Sequence, residues 1–416
     1  MKRIFALLLI FSVFMTLFSC DFLPDTPAED EEIKEENKEE NKEENKEENN
    51  KNTNEENYKK ALKAIENGDC EYARELLIEI GDYKDAKKHL ERFYYVPTSI
   101  INDFTDKVAH DAGFCGTKEK ITYGKNGLPN HFTFVEYKDS YSYFNIDTEI
   151  IYDARGNVSQ IQINEYIDST IAYTIIIDRT YDQNDNLIRE ILTNSDDGSK
   201  GFKDYVYDER GNLIKRTETY PDAIMVEEWK FDKNNNIIEN VYTQNGKLLY
   251  KYECSYDSKG DLIEQKSSYG DNPDYGEGVS ITKYEYTYNS KGKLVTLITT
   301  HNDGADIRSD YTYDSTGNLI TILYDDFRID FTYDENGNMM SRTCTSFINN
   351  TSDTTTFAYD ENGNVIKIDN EGETYEAQYQ LVYIPFDITQ EELDELLATF
   401  SHLYDSYKYM LAMYHN

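Results

Sequence analysis

The chain has 416 residues, with 80 acidic against 42 basic side chains and a formal charge of -38. That charge repels phosphate backbones and anionic head groups, so it argues against a nucleic-acid partner and against membrane attachment through the charge of the body. The length allows two or three domains, yet only 38% of residues are hydrophobic and tyrosine outnumbers phenylalanine 37 to 19. Tyrosine pairs an apolar ring with a polar tip and suits half-exposed sheet faces, so a large wet sheet is expected rather than a thick apolar core.

Residues 1–20 read as a secretory leader. Lys2 and Arg3 form a positive start, and Ile4 to Phe18 is an apolar run broken only by Ser12 and Thr16. Leu17-Phe18-Ser19-Cys20 follows, with a small residue before the cut. Those four residues resemble the lipobox of bacterial lipoproteins, although Phe18 is bulkier than the pattern's usual residue. The resemblance implies that Cys20 carries a diacylglyceryl group and becomes the new N-terminus, and acyl chains on one residue give stable anchoring when more than one is attached. The alternative is an uncleaved membrane anchor, for which the run is short. Asp21 resembles an inner-membrane retention signal in enteric cells and would mean little in other envelopes.

Residues 21–57 read as a disordered acidic tether. Lys34-Glu35-Glu36-Asn37 recurs three more times up to Asn49, and Ile33 is the only aliphatic side chain besides alanine over 29–57. Nothing there can be buried to offset chain entropy, although charges three apart allow transient helix. Fully extended, about 37 residues at ~3.4 Å each would reach on the order of 125 Å, enough to lift a body off a membrane.

Residues 58–93 switch to helical period. Ala61, Leu62 and Ile65 form one stripe, ended by Asn67-Gly68-Asp69; Tyr72, Ala73, Leu76, Leu77 and Ile80 form a second, ended by Gly81-Asp82; Tyr83, Ala86, Lys87 and Leu90 begin a third. Glycine stops each helix and the aspartate after it can cap the next. Tyr72 to Leu90 resembles a tetratricopeptide-like helical hairpin without that family's tryptophan and proline. It implies either a helical plug or a groove for a protein partner.

The body, residues 94–386, repeats an aromatic-Asp head at Tyr152, Tyr181, Tyr207, Phe231, Tyr256, Tyr288, Tyr313, Tyr333 and Tyr359, with a degenerate tenth at Tyr123. The second position is Asp in eight of the nine good copies and Asn289 in the other, a side chain that starts a turn by bonding its own backbone. Three residues later stand Gly156, Asp185, Gly211, Asn235, Gly260, Gly292, Gly317, Gly337 and Gly363, the types that tolerate a left-handed backbone. Two further on, Val158, Leu187, Leu213, Ile237, Leu262, Leu294, Leu319, Met339 and Val365 restart a strand with an inward side chain. The unit is therefore a hairpin with a bulge. Midway turn signals at Asp196-Asp197-Gly198, Gln244-Asn245-Gly246, Asn302-Asp303-Gly304 and Asn370-Glu371-Gly372 close the other edge, which predicts a mainly β chain: an antiparallel meander of roughly twenty strands.

The pattern aromatic-Asp-x-x-Gly-Asn-Leu closely resembles the YD repeats of the RHS family and covers about residues 123–370. That resemblance implies a curved or shell-like β-structure on a cell-surface or secreted protein, often linked to carbohydrate binding or toxin delivery. The family's self-cleaving core and toxin are not recognisable here. With so few repeats the expectation is an open, curled sheet that does not close. Residues 387–416 would cover one end as a helix, with Thr389 and Glu392 as a capping box and Leu393, Leu396, Leu397, Phe400, Leu403, Tyr404 and Tyr407 as the apolar stripe. A partner-binding helix is the alternative.

Chemistry is sparse. Cys70, Cys115, Cys254 and Cys344 show no metal-ligand spacing, though a disulfide between distant strands stays open. The six histidines are scattered, and no nucleophile elbow, zinc motif or phosphate loop appears, so neither catalytic residue, metal nor cofactor is expected. Asp182, Asn184 and Asn186, like Asp334, Asn336 and Asn338, have the alternation that opens a calcium loop, but Leu187 and Thr193, or Met339 and Thr345, stand where that loop needs Gly and Glu. The expected function is a non-enzymatic binding or adhesion scaffold, lipid-anchored on the extracytoplasmic side through Cys20, with a glycan or cell-wall ligand as first guess. The alternatives are a spacer or envelope-assembly part that binds a protein through the helical module, and an unrecognised hydrolase.

Overall fold

The structure, a computed structural model, describes residues 40–104, 116–138, 141–167, 170–270, 278–301, 306–370 and 373–385, with 388, 389, 393, 396 and 397. Cys20, Cys115 and most of the amphipathic C-terminal segment lie outside the described residues. The chain divides into two compact units. One holds the helices, residues 125–127 and the chain from Leu381 onward; the other holds the sheet.

In the helical unit, α1 (Glu40–Asn67), α2 (Cys70–Ile80) and α3 (Ala86–Leu90) follow in order. The segment expected to be disordered up to residue 57 is therefore helical from Glu40. Glu55–Lys59 and Glu56–Lys60 ion pairs, one turn apart at 3.2 and 2.8 Å, support its surface. The apolar stripes meet as expected: Tyr58, Ala61, Leu76, Leu77, Ile80 and Ala86 form one buried cluster. Gly68 and Gly81 end their helices at φ +79 and +56. The cap expectation is corrected in part. Asp69 occupies the N-cap of α2 without a side-chain bond, and α3 is entered from Asp85 rather than Asp82. Of the C-terminal helix, the Leu393 amide donates to the Thr389 carbonyl at 3.1 Å, and the Leu393 side chain is fully buried.

The sheet unit carries a 22-stranded antiparallel sheet, β1 (Phe93–Phe104) to β22 (Glu373–Tyr383) in sequence order. Each strand pairs with its neighbours in the chain, and β1 also pairs with β22. The sheet is thus a closed barrel, and the expected open curl is corrected. An open sheet would leave two rows of unpaired backbone groups, and closure removes both.

The hairpin reading holds at every head. All nine left-handed columns have positive φ, from +65 at Asp185 to +103 at Gly317. At all ten heads, Tyr123 included, the register shifts by a bulge immediately before the aromatic residue. In the turn after Tyr181, the Asp182 amide donates to the Asn186 carbonyl at 2.9 Å. Asp182 Oδ1 accepts the amides of Asn184 and Asn186 at 2.8 and 3.0 Å, and Oδ2 accepts Asn186 Nδ2 at 3.0 Å. The same cage recurs at Asp208, Asp232, Asp334 and Asp360. These bonds occupy the oxygens that a calcium reading would need. At the opposite rim, Asn245 and Gly246 at φ +51 and +76 make a two-residue turn of the primed type.

Candidate ligand-binding wall

Strand pairing assigns the two faces of the barrel. Each head aromatic is partly buried while the residue before it is exposed, as at Tyr181 after Thr180 and Phe231 after Lys230. Side chains on a concave face crowd one another, so the head face is the inner one. After the bulge, the ninth residue past each head shares that face, as in Ile150 opposite Ile161 and Arg179 opposite Glu190.

The inner face changes character along the chain. From β2 (Gly116–Tyr123) to β7 (Leu187–Asn194) it is mainly apolar, and Ile121, Phe132, Ile146, Ile150, Ile161, Ile163, Ile175, Ile177 and Leu192 are all buried there. Ile161 and Ile177 are fully enclosed, each contributing about 1.5–3 kcal/mol. Further on it becomes aromatic and polar. β10 (Ile224–Phe231) presents Trp229 and Phe231, β12 (Lys247–Tyr256) presents Tyr250, Tyr252 and Tyr256, and β14 (Gly278–Tyr288) presents Tyr284, Tyr286 and Tyr288. Tyr242 stacks on Tyr250 with ring centroids 5.1 Å apart, and Tyr286 lies nearly parallel to Tyr288 at 6.3 Å. These side chains are half-buried.

A charged ladder runs beside them. Arg179 Nε donates to Glu190 at 2.8 Å, and the Tyr205 hydroxyl donates to the same carboxylate at 2.6 Å. Arg216 bridges Glu218 at 3.1 Å and Glu227 at 2.9 Å. Tyr220 donates to Glu218 at 2.8 Å, while Asn240 and Tyr250 donate to Glu227 at 3.0 and 3.1 Å. Burial, then the Glu227 charge, holds the Tyr250 hydroxyl well above its usual value. Two carboxylates near each other invite comparison with a glycosidase pair, which needs an open gap for the sugar and one protonated acid. Here the Arg216 guanidinium fills the gap, so the pair is an ion bridge. Among the described residues no three His, Cys, Asp or Glu side chains gather to hold a metal. Cys70, Cys254 and Cys344 are free thiols, so no disulfide joins any of them.

The outer face is different again. Arg189–Asp204 at 2.6 Å, Lys230–Glu239 at 2.6 Å, Lys251–Glu239 at 2.9 Å and Lys266–Glu253 at 3.2 Å tie strand to strand across it. A lysine or arginine facing lipid at the bilayer midplane costs about 2–4 kcal/mol, a cost that each of these cations would carry on a lipid-facing wall. Among the described residues no helix is long and apolar enough to cross a membrane.

Sequence alternation alone puts Tyr284, Tyr286 and Tyr288 on one strand face, as it does Trp229 with Phe231 and Tyr252 with Tyr256. The charged ladder did not stand out in this way. Its signal was the ninth column after the heads, where Glu190, Arg216, Asn240, Gln265 and Arg342 stand among aliphatic residues. The head hydroxyls also have a role that sequence reasoning missed. Pairing with the following strand starts two residues past the apolar column, as at Gln160–Asp178 after Val158. The carbonyl of the apolar residue is left outside the ladder, and the next head reaches it. Tyr181 donates to Val158 O at 2.9 Å, Tyr207 to Leu187 O at 3.0 Å, Tyr313 to Leu294 O at 2.8 Å and Tyr359 to Met339 O at 2.8 Å. That explains tyrosine rather than phenylalanine at seven of the nine good heads; at the eighth tyrosine, Tyr288 donates instead to Asp261 Oδ2 at 2.8 Å, and Tyr286 takes the Leu262 carbonyl at 3.0 Å.

No protein-family model and no curated protein matches the sequence. Among solved structures, the chain is similar to TcdB2-TccC3-TEV at 17% identity and a TM-score of 0.31, over 64% of this chain and 14% of that one. It is also similar to the Photorhabdus luminescens Tc holotoxin pore at 15% identity and a TM-score of 0.29, over 74% of this chain and 20% of that one. A porin-like protein from Bacteroides uniformis aligns at 10% identity and a TM-score of 0.26, over 70% of this chain and 97% of that one. The chain thus spans a fifth or less of the length of these toxin chains.

Proposed function

We propose that the protein is a non-enzymatic binding scaffold whose inner wall takes a carbohydrate chain, held at the extracytoplasmic membrane surface by acyl chains on Cys20. One observation carries the ligand reading: a wall of half-buried tyrosine and tryptophan side chains with carboxylate and amide groups beside them. Apolar ring faces match the C–H faces of sugars, and Glu227, Asn240 and Gln265 supply acceptors and donors for hydroxyls. The anchor reading rests on the leader and on Cys20, and the charged outer face agrees with a barrel working in water beside the membrane rather than within it.

A glycan array and a peptidoglycan pull-down with the purified protein test the ligand. Retention on at least one glycan class, weakened by Trp229→Ala or Tyr250→Ala, is expected. Failure to bind any glycan or wall fraction would remove the reading. Cys20→Ala should release the protein from membranes, and unchanged membrane retention would replace the lipid anchor with the apolar segment itself.

A further inference from the structure

The inner-face carboxylates Glu165, Glu190, Glu218 and Glu227 each accept a hydrogen bond from a tyrosine, an arginine or an asparagine. Glu119 on β2 differs. It shares the inner face with Ile121 and Tyr123, it is only partly exposed, and no hydrogen bond or ion pair reaches it among the described residues. Ile100 of β1 stands opposite it on one side and Phe134 of β3 (Pro129–Lys138) on the other. The next strand places buried Ile146 beyond Phe134. Tyr375 of β22 is close enough for its hydroxyl to feel the Glu119 charge. A carboxyl in such surroundings costs free energy unless something supplies the missing positive partner.

We propose that Glu119 is the anion of a subsite for an organic ammonium group, which enters the barrel and is held between this carboxylate and the rings of Phe134 and Tyr375. The donor set selects that chemistry. Calcium needs six to eight oxygen ligands and magnesium a near-octahedral shell, whereas a single carboxylate in an apolar and aromatic setting offers neither. An ammonium on carbon needs one strong anion, and it gains further from ring faces and from apolar contact along its carbon chain. Burial pushes the Glu119 carboxyl up to about 7, the behaviour of a group surrounded by protein with no partner of its own. A bound ammonium would pull that value back down, because an opposite charge favours the ionised form. The subsite stands on the geometry of β1, β2, β3 and β22 and does not depend on a glycan as the ligand of the tyrosine wall.

The test uses n-butylammonium chloride as probe on the full protein at pH 8, with sodium chloride at equal ionic strength as control. Isothermal titration should show saturable binding of the amine, weakened tenfold or more in Glu119→Gln. Equal binding by parent and variant, or no binding by the parent at millimolar amine, overturns the proposal. A second readout needs no variant. With the glutamate carboxyl carbons labelled, the Glu119 titration midpoint should fall by at least one pH unit in butylammonium and stay fixed in sodium. A midpoint that does not move with the amine overturns it equally.

Discussion

The hydroxyl-to-carbonyl bond that joins most repeats to the one before can be tested in both directions. Tyr181→Phe deletes one oxygen and leaves the ring. The lost bond, 2.9 Å to Val158 O, is worth about 0.5–1.5 kcal/mol net. Val158 is only 5% exposed, so its carbonyl is left without a partner and the cost rises toward ~1–3 kcal/mol. Phe231 is the natural converse. Its position relative to Leu213 matches that of Tyr181 to Val158, because pairing of β9 with β10 begins at Lys215–Glu228, again two residues past the apolar column. Phe231→Tyr should therefore supply the missing bond and stabilise by up to about 1 kcal/mol. A large repeat barrel need not unfold in one step, so the assay is local: native-state amide exchange at the rims of β5 (Val158–Ile167) and β9 (Leu213–Thr219), beside a urea curve. Faster exchange at the β5 rim in the first variant and slower exchange at the β9 rim in the second are expected. If both variants match the parent, the hydroxyls are incidental, and ring packing alone explains the column.

Three further outcomes follow from the geometry. Gly127→Ala forces a side chain onto a residue at φ +72 whose Cβ would run into the Tyr383 carbonyl, and a loss of about 2–4 kcal/mol in urea unfolding is expected. Arg216→Met leaves Glu218 and Glu227 without their shared cation. Arg216 is 35% exposed, so the usual buried-pair cost shrinks to about 1–3 kcal/mol, read as a lower urea midpoint that partly recovers at acid pH. In the turns, hydrogen bonds hold the Asp182, Asp208 and Asp314 carboxyls below the usual range, led by Asn186, Asn212 and Thr316 respectively. A depressed folded value means the stabilisation is complete above the unfolded value near ~3.9 and is lost as pH falls through the lower folded one. Amide signals of these turns should therefore shift below about pH 4, while the turn at Asn289, whose amide side chain accepts from Lys291 and Lys293 at 2.9 and 3.0 Å, should not.

The repeating unit was legible because its chemistry is local. An aspartate bonding its own backbone, a residue that tolerates positive φ and an apolar restart are encoded within seven consecutive residues of each copy, and the bulge follows from them. The helical hairpin was legible for the same reason, since its stripes and glycine stops are near neighbours. Its start was not: the acidic repeats that looked unable to fold continue α1 back to Glu40. Two decisions belonged to tertiary structure alone. Whether β1 meets β22 depends on twist and curvature summed over every strand between them, and no local signal carries that sum. Which side chains line the wall depends on the bulge, because one extra residue inverts the inside-outside alternation within each hairpin. Simple alternation from Leu213 would aim Lys215 inward, yet pairing turns Arg216 to the wall and Lys215 to the outer lattice with Glu228. Glu119 became notable only through its neighbours on three separate strands, since no partner reaches it among the described residues.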